Sequence, residues 1–231
     1  MKICIDAGHN YSGYDTGAQG NGLKEQDITF QIADKLKVLL AKKGITVIMT
    51  RNKLEENSDN SSINASIAGR ARLCNDNKCD CFISIHCNAG GGIGTESYAY
   101  SKQSKGYELA VSVNSALVRL LPLKDRGVKT ANFGVLRLTN CPAILVETAF
   151  IDNYADSLML KNNQADFAAG IANGVFNYFG IKSDKEVTIS DMKSVISEKC
   201  GFSSPDDVFR LVDSHPYAKD LYQKWYKSYG Y

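Results

Sequence analysis

The stretch CFISIH, Cys81–His86, decides the fold. It is an almost unbroken apolar run ending in a histidine, and ICI at residues 3–5 and AILV at residues 143–146 share its texture. A strand with one face in water alternates apolar and polar residues. A run apolar at nearly every position fits a strand covered on both faces, as in parallel sheets. Working outward, strands are expected at Lys2–Asp6, Ile45–Thr50, Cys81–His86, Glu96–Tyr100, Gly134–Leu138 and Ala143–Glu147. Helical stripes lie between them. Ile28, Ile32, Leu36, Leu39 and Leu40 form one, with Gly44 placed to end it. Ile63, Ile67, Ala71 and Cys74 form a second; Leu109, Val113, Leu117 and Leu120 a third; Phe167, Ile171 and Val175 a fourth, ending near Gly180. Strands alternating with helices predict an α/β fold: a central, mostly parallel six-stranded sheet flanked by helices.

That alternation stops near residue 181, so residues 1–181 are expected to be the catalytic domain. Residues 182–187 are polar and read as a linker. Residues 188–231 read as a small helical C-terminal module of about three short helices. Ser204-Pro205-Asp206-Asp207 opens one of these with a cap residue, Pro at the first helical position and acids in the first turn, and Pro216 stops it. Tyr217, Tyr222, Trp225, Tyr226, Tyr229 and Tyr231 crowd the end of the chain, either to pack a small core or to stack on sugar rings of a cell wall.

Composition excludes several function classes. The net charge is +2 over 231 residues with both signs interspersed, so no nucleic-acid footprint exists. No apolar run approaches the ~20 residues of a membrane span, and no polybasic cluster suits an anionic bilayer. The opening MKICIDAGHN has no signal-peptide pattern, so the protein is expected to be cytoplasmic until lysis. The seven cysteines, Cys4, Cys74, Cys79, Cys81, Cys87, Cys141 and Cys200, are then reduced, packing as small hydrophobes.

Chemistry collects where the apolar runs end. His9 follows the first, His86 closes CFISI, and Glu147 closes AILV. Ligands of open α/β sheets bind beyond the carboxyl ends of the strands. Glu25, in the first turn after the Gly8–Gly22 loop, can be folded back over the same ends. Two imidazoles and a carboxylate with an open fourth position make a hydrolytic zinc site, and Glu147 remains to move protons. Singly, each residue has a plainer reading: a hydrogen-bonded histidine, a carboxylate complementing a helix dipole, a salt bridge.

The chain resembles the zinc-dependent N-acetylmuramoyl-L-alanine amidases of bacterial cell walls and phage lysins. Four motifs carry the likeness in order: IDAGHN, Glu25, SIHCNA at residues 84–89 and PAILVETAF at residues 142–150. Arg70 with Asn75, and Arg126-Gly127-Val128-Lys129 leading to Asn132 and Val135-Leu136-Arg137, also resemble family stretches. The resemblance implies one Zn2+ held by His9, Glu25 and His86, a catalytic Glu147, and hydrolysis of the lactyl–L-alanine amide of peptidoglycan. Cys74 and Cys87 depart from the pattern without touching that set.

Asn88, Arg70 and Arg126 are candidate substrate contacts. Their plainer readings are a loop bond for Asn88, a core ion pair for Arg70 and solvated surface for Arg126. His215 reads as a surface or capping residue. Cys79, Cys81 and Cys87 lie near His86, but their C-x-C spacing is not that of a zinc knuckle. A phage or prophage endolysin is the preferred biological setting, with a host mother-cell autolysin as alternative. A zinc carboxypeptidase and a non-catalytic wall-binding protein are the competing classes.

Overall fold

The structure, a computed structural model, describes residues 1–182, 189–200, 209–210, 212–213 and 218–228. They divide into two compact units, Met1–Ile181 and Lys182–Tyr231. In the first unit the strands are β1 (Lys2–Ala7), β2 (Gln19–Gly20), β3 (Leu23–Lys24), β4 (Thr46–Met49), β5 (Cys81–Asn88), β6 (Thr95–Ala99), β7 (Asp125–Thr130) and β8 (Ala143–Phe150). The helices are α1 (Glu25–Lys42), α2 (Ile63–Asp76), α3 (Gly106–Leu120), α4 (Gly134–Arg137), α5 (Tyr154–Asn162) and α6 (Gln164–Phe179).

Six strands form one sheet in the order β4-β1-β5-β8-β6-β7. Every neighbouring pair is parallel except β6 and β8. Successive side chains of a strand point to opposite faces, and the core divides accordingly. Ile3, Ile5, Ile83, Ile85, Ile144 and Val146 point to one side, packed with apolar residues of α1, α3 and α6. Cys4, Phe82 and Leu145 point to the other, with Cys74 of α2 and Val135 and Leu136 of α4. Burial on both faces is why these strands are written in unbroken apolar runs.

The sixth strand differs from expectation. Gly134–Leu138 is not a strand: Gly134–Arg137 is a single helical turn, with Val135 and Leu136 buried side by side rather than alternating. The edge strand is instead Asp125–Thr130, whose DRGVKT sequence is polar because it is only half-covered. The helical stripes hold, except that Ile63 at the start of α2 is exposed. Ser62 caps that helix, accepting from the Ala65 amide at 3.1 Å.

In the second unit, Ile189–Cys200 and Ala218–Ser228 are helices, α7 and α8. Ile196, Phe209 and Tyr222 are buried together, with Val212 and Trp225 against them. Tyr222 and Trp225 therefore pack a small core. Residues 183–187 of the expected linker 182–187, the helix start Ser204–Asp207, His215, Pro216, Tyr217, Tyr229 and Tyr231, and the side chain of Tyr226, lie outside the described residues.

Candidate metal centre

The strand register assembles the site. Within β5 and β8, His86 pairs with Glu147, and across β6 and β8 Glu96 pairs with the same Glu147. In β1, Ala7 pairs with Ile85, so His9, two residues on, arrives beside His86. Gly8 makes this approach possible. Its amide donates to the Ile85 carbonyl at 3.0 Å, and a Cβ there would collide with that oxygen and with the His86 ring. His9 itself takes a left-handed backbone, φ 68°, which turns its ring back over the strand ends.

Glu25 reaches the same point by a hairpin. Asn21 and Gly22 both have positive φ, 50° and 75°, and join β2 to β3 in the two-residue turn this pair of residues favours. The Asn21 amide donates to Ile151 O at 3.0 Å, tying the hairpin beyond the end of β8. The hairpin delivers Glu25 as the first residue of α1. Its Oε2 accepts from the Ala18 amide at 2.8 Å and its Oε1 from the Cys87 amide at 2.9 Å.

Three donor atoms converge. Glu25 Oε1 lies 3.1 Å from His9 Nε2 and 3.0 Å from His86 Nδ1, and the two nitrogens are 3.1 Å apart. A tetrahedral ion with ligands at ~2.0–2.1 Å needs an edge of about 3.3 Å. Two imidazoles and a carboxylate at this spacing therefore fit a divalent, borderline-soft metal ion. Asp15 fixes the chemistry of His9: its Oδ1 lies 3.1 Å from Nδ1. An ionised carboxylate only accepts, so Nδ1 carries a proton, and Nε2, facing Glu25 and His86, is the nitrogen left to bind a metal. Burial disfavours a charged His9, but Asp15 and Glu25 outweigh it and lift the pKa to about 9. Glu25 is pulled the other way: burial opposes its charge, yet His86 and His9 hold it well below the usual carboxylate range.

Glu147 stands apart from the triangle. Its Oε2 is buried with no hydrogen-bond partner among the described residues. Burial pushes its pKa up to about 7, opposed by His86 and reinforced by the Glu25 and Glu96 carboxylates. It lines a cavity of about 380 Å³ with His9, Glu25, His86, Asn88 and Phe133. A carboxyl poised near neutrality beside a candidate metal is equipped to exchange protons with a bound reactant.

Arg70 also borders this cavity, but the fold uses all three of its nitrogens. They bond Asp6 at 2.7 Å, Ala7 O at 3.0 Å, Asn10 at 2.8 Å and Ser66 at 3.2 Å, with Asp15 at 3.6 Å. The substrate role considered for Arg70 gives way to a supporting one beneath the His9 loop. Arg126 Nε donates to Glu96 at 2.6 Å and its guanidinium covers the Phe150 ring. Asn88 donates to the other Glu96 oxygen at 2.9 Å. Tyr98 and Lys129 complete that cluster; burial works against the Glu96 charge, and Lys129, Tyr98 and Arg126 hold it ionised, at about 2. Asp15, Glu96 and Phe133 escaped sequence reasoning. Only the Asn21-Gly22 turn signal could have hinted at the loop around Asp15, by fixing where its second half folds back.

Residues 3–177 match the family described as N-acetylmuramoyl-L-alanine amidase. The chain belongs to this family. The sporulation-specific N-acetylmuramoyl-L-alanine amidase of Bacillus subtilis strain 168 is 38% identical to it over 187 residues, 79% of this chain and 69% of that protein. The endolysin of Bacillus phage SPP1 is 37% identical over 190 residues, 78% of this chain and 66% of the endolysin. The crystal structure of an N-acetylmuramoyl-L-alanine amidase from Clostridium difficile 630 superposes with a TM-score of 0.69 at 34% identity, covering 79% of this chain and 98% of that one. As an N-acetylmuramoyl-L-alanine amidase the protein is a hydrolase, and a bacterial amidase and a phage endolysin stand equally near it. Among the described residues, no helix of this amidase is long and apolar enough to cross a membrane.

Proposed function

We propose that the protein cleaves the amide between the lactyl group of N-acetylmuramic acid and L-alanine in peptidoglycan, using one zinc ion held by His9 Nε2, Glu25 Oε1 and His86 Nδ1. The observation that carries this reading is the triangle of three donors at 3.0–3.1 Å with Glu147 at the paired position of the next strand. When bound there, zinc supplies Lewis acidity for the scissile carbonyl and for water at neutral pH.

The chain's own residues do the rest. Asp15 keeps the His9 lone pair aimed at the site, and the Ala18 and Cys87 amides hold the Glu25 carboxylate in place. Glu147, ionised, takes a proton from the attacking water at its unpartnered oxygen, then returns it to the L-alanine nitrogen as the amide breaks. The cavity beside these groups is of ordinary ligand-site size. Asn88 contacts the peptide at its edge, while Arg126 balances the Glu96 charge that would otherwise crowd Glu147.

Incubation with purified peptidoglycan, followed by identification of new amino termini, tests the bond: N-terminal L-alanine is expected. A chelator should abolish the activity and zinc restore it, and His86→Ala should lose both metal and activity. Glu147→Gln should keep zinc and lose roughly 10²–10⁴ in rate. Full activity of that variant with zinc bound would refute its role. Release of a terminal D-amino acid would mark a carboxypeptidase instead.

A further inference from the structure

A second group of metal-competent side chains lies outside the amidase site. Cys4, Cys74 and Cys79 are buried, with their three sulfurs within 4.8 Å of one another. Cys141 brings a fourth thiol, its sulfur 3.6 Å from that of Cys74. These residues come from four separate places in the chain: the middle of β1, the last turn of α2, the turn after it, and the loop entering β8. The turn is built for the purpose. Lys78 takes a left-handed backbone, φ 51°, and the Cys79 amide donates to the Cys74 carbonyl at 3.2 Å, folding Cys79 back over the helix end.

We propose that Cys4, Cys74, Cys79 and Cys141 form a structural zinc-thiolate site that ties β1, α2 and the entry to β8 together. A zinc ion with Zn–S bonds of ~2.3 Å needs sulfurs about 3.8 Å apart; those of Cys74 and Cys141 stand at 3.6 Å, and those of Cys4, Cys74 and Cys79 lie within 4.8 Å of one another. Apolar packing alone would scatter cysteines among aliphatic neighbours. It gives no reason for sulfurs from four segments to meet. Binding exchanges thiol protons for the metal: each thiol that becomes a ligand releases one proton to solvent, and no oxidant or reductant is involved. Four thiolates and one divalent ion leave a net negative charge. Lys2 stands ready to offset it, its ammonium donating to Asn77 O at 2.8 Å, two residues from Cys79. The site would also serve the catalytic one at a distance. Cys74 lies one helical turn beyond Arg70, so fixing the end of α2 fixes the guanidinium that holds Asp6, Asn10 and Asp15.

The test is metal stoichiometry with a spectroscopic signature, on the full chain reconstituted with excess metal under reducing conditions and then desalted. Two equivalents of zinc per chain are expected. The cobalt(II)-loaded protein should show a thiolate-to-cobalt charge-transfer band, which a ligand set of two histidines and a glutamate cannot give. Cys79→Ser should halve the metal content and abolish the band, leaving one equivalent at the amidase site. The wild-type cobalt spectrum decides by itself, whatever the folding of that variant. One equivalent with no such band, and all seven thiols open to alkylation after unfolding, would overturn the proposal in favour of plain packing. A Cys74–Cys141 disulfide found by peptide mapping of protein reconstituted in this way would overturn it equally.

Discussion

Asp15 touches no metal-facing atom, yet the state of His9 depends on it. Its carboxylate, 3.1 Å from Nδ1, selects the tautomer that presents Nε2 to Glu25 and His86. Asp15→Asn should therefore weaken zinc binding by ~10–100-fold, measured by competition with a chromophoric chelator. Unchanged affinity would remove Asp15 from that role. His9 also predicts a pH dependence. With its pKa lifted to about 9 in the metal-free protein, it is protonated at neutral pH. Zinc binding should then release a proton from it, and affinity should climb with pH until about 9 and level off there. Calorimetry in buffers of different ionisation enthalpy counts that proton. Glu147 makes the stability of the fold depend on pH as well. Its folded pKa of about 7 exceeds the ordinary 4.5, so the fold favours its neutral form. That contribution is complete below pH 4.5 and lost as pH rises through 7. In metal-free protein, Glu147→Gln should be the more stable form at pH 8, by at most about 3 kcal/mol, with no gain at pH 4. Urea unfolding at the two pH values measures it. His9, Glu25, His86 and Glu147 were legible in the sequence because three of them punctuate apolar runs and the fourth opens a helix. Asp15 was not, since a polar loop residue has no period and its partners appear only in three dimensions.

At the level of elements, legibility followed burial. Strands covered on both faces, β1, β5 and β8, are written in near-continuous apolar runs. The edge strand β7 is half-exposed and polar, so its sequence looks like a loop, while the apolar GVLRL stretch imitated a strand. Tertiary context decided both: Val135 and Leu136 fill a space beside α2 that a single turn reaches. Glycines inside helices show the same effect. Gly174 reads as a weak point of α6, but a Cβ there would strike the Val113 backbone of α3, and one at Gly170 would strike Leu117. Gly174→Ala should destabilise the protein by ~1–3 kcal/mol in urea unfolding while leaving zinc affinity unchanged. A neutral result would mean that α3 and α6 move apart to admit a methyl group.

Across the whole molecule, every residue of the candidate amidase site lies in Met1–Ile181, and Lys182–Tyr231 has its own small core around Tyr222. A chain ended at Ile181 should therefore bind zinc at the amidase site and hydrolyse soluble muropeptide fragments at the full-length rate. A large fall would assign residues 182–231 to the chemistry itself. The sheet order carries one more consequence, for the ribosome. β8 is made after β5, β6 and β7, yet it lies between β5 and β6 and is the strand that joins them. A nascent chain that has not yet emitted Ala143–Phe150 already contains His9, Glu25 and His86, but the β6–β7 pair has no strand to join it to β5. Closure of the sheet and arrival of Glu147 are thus one event in biosynthesis. Chains abandoned earlier in translation can carry the candidate metal ligands but not Glu147, the proposed acid–base group, so on this reading a stalled product is born without hydrolytic activity.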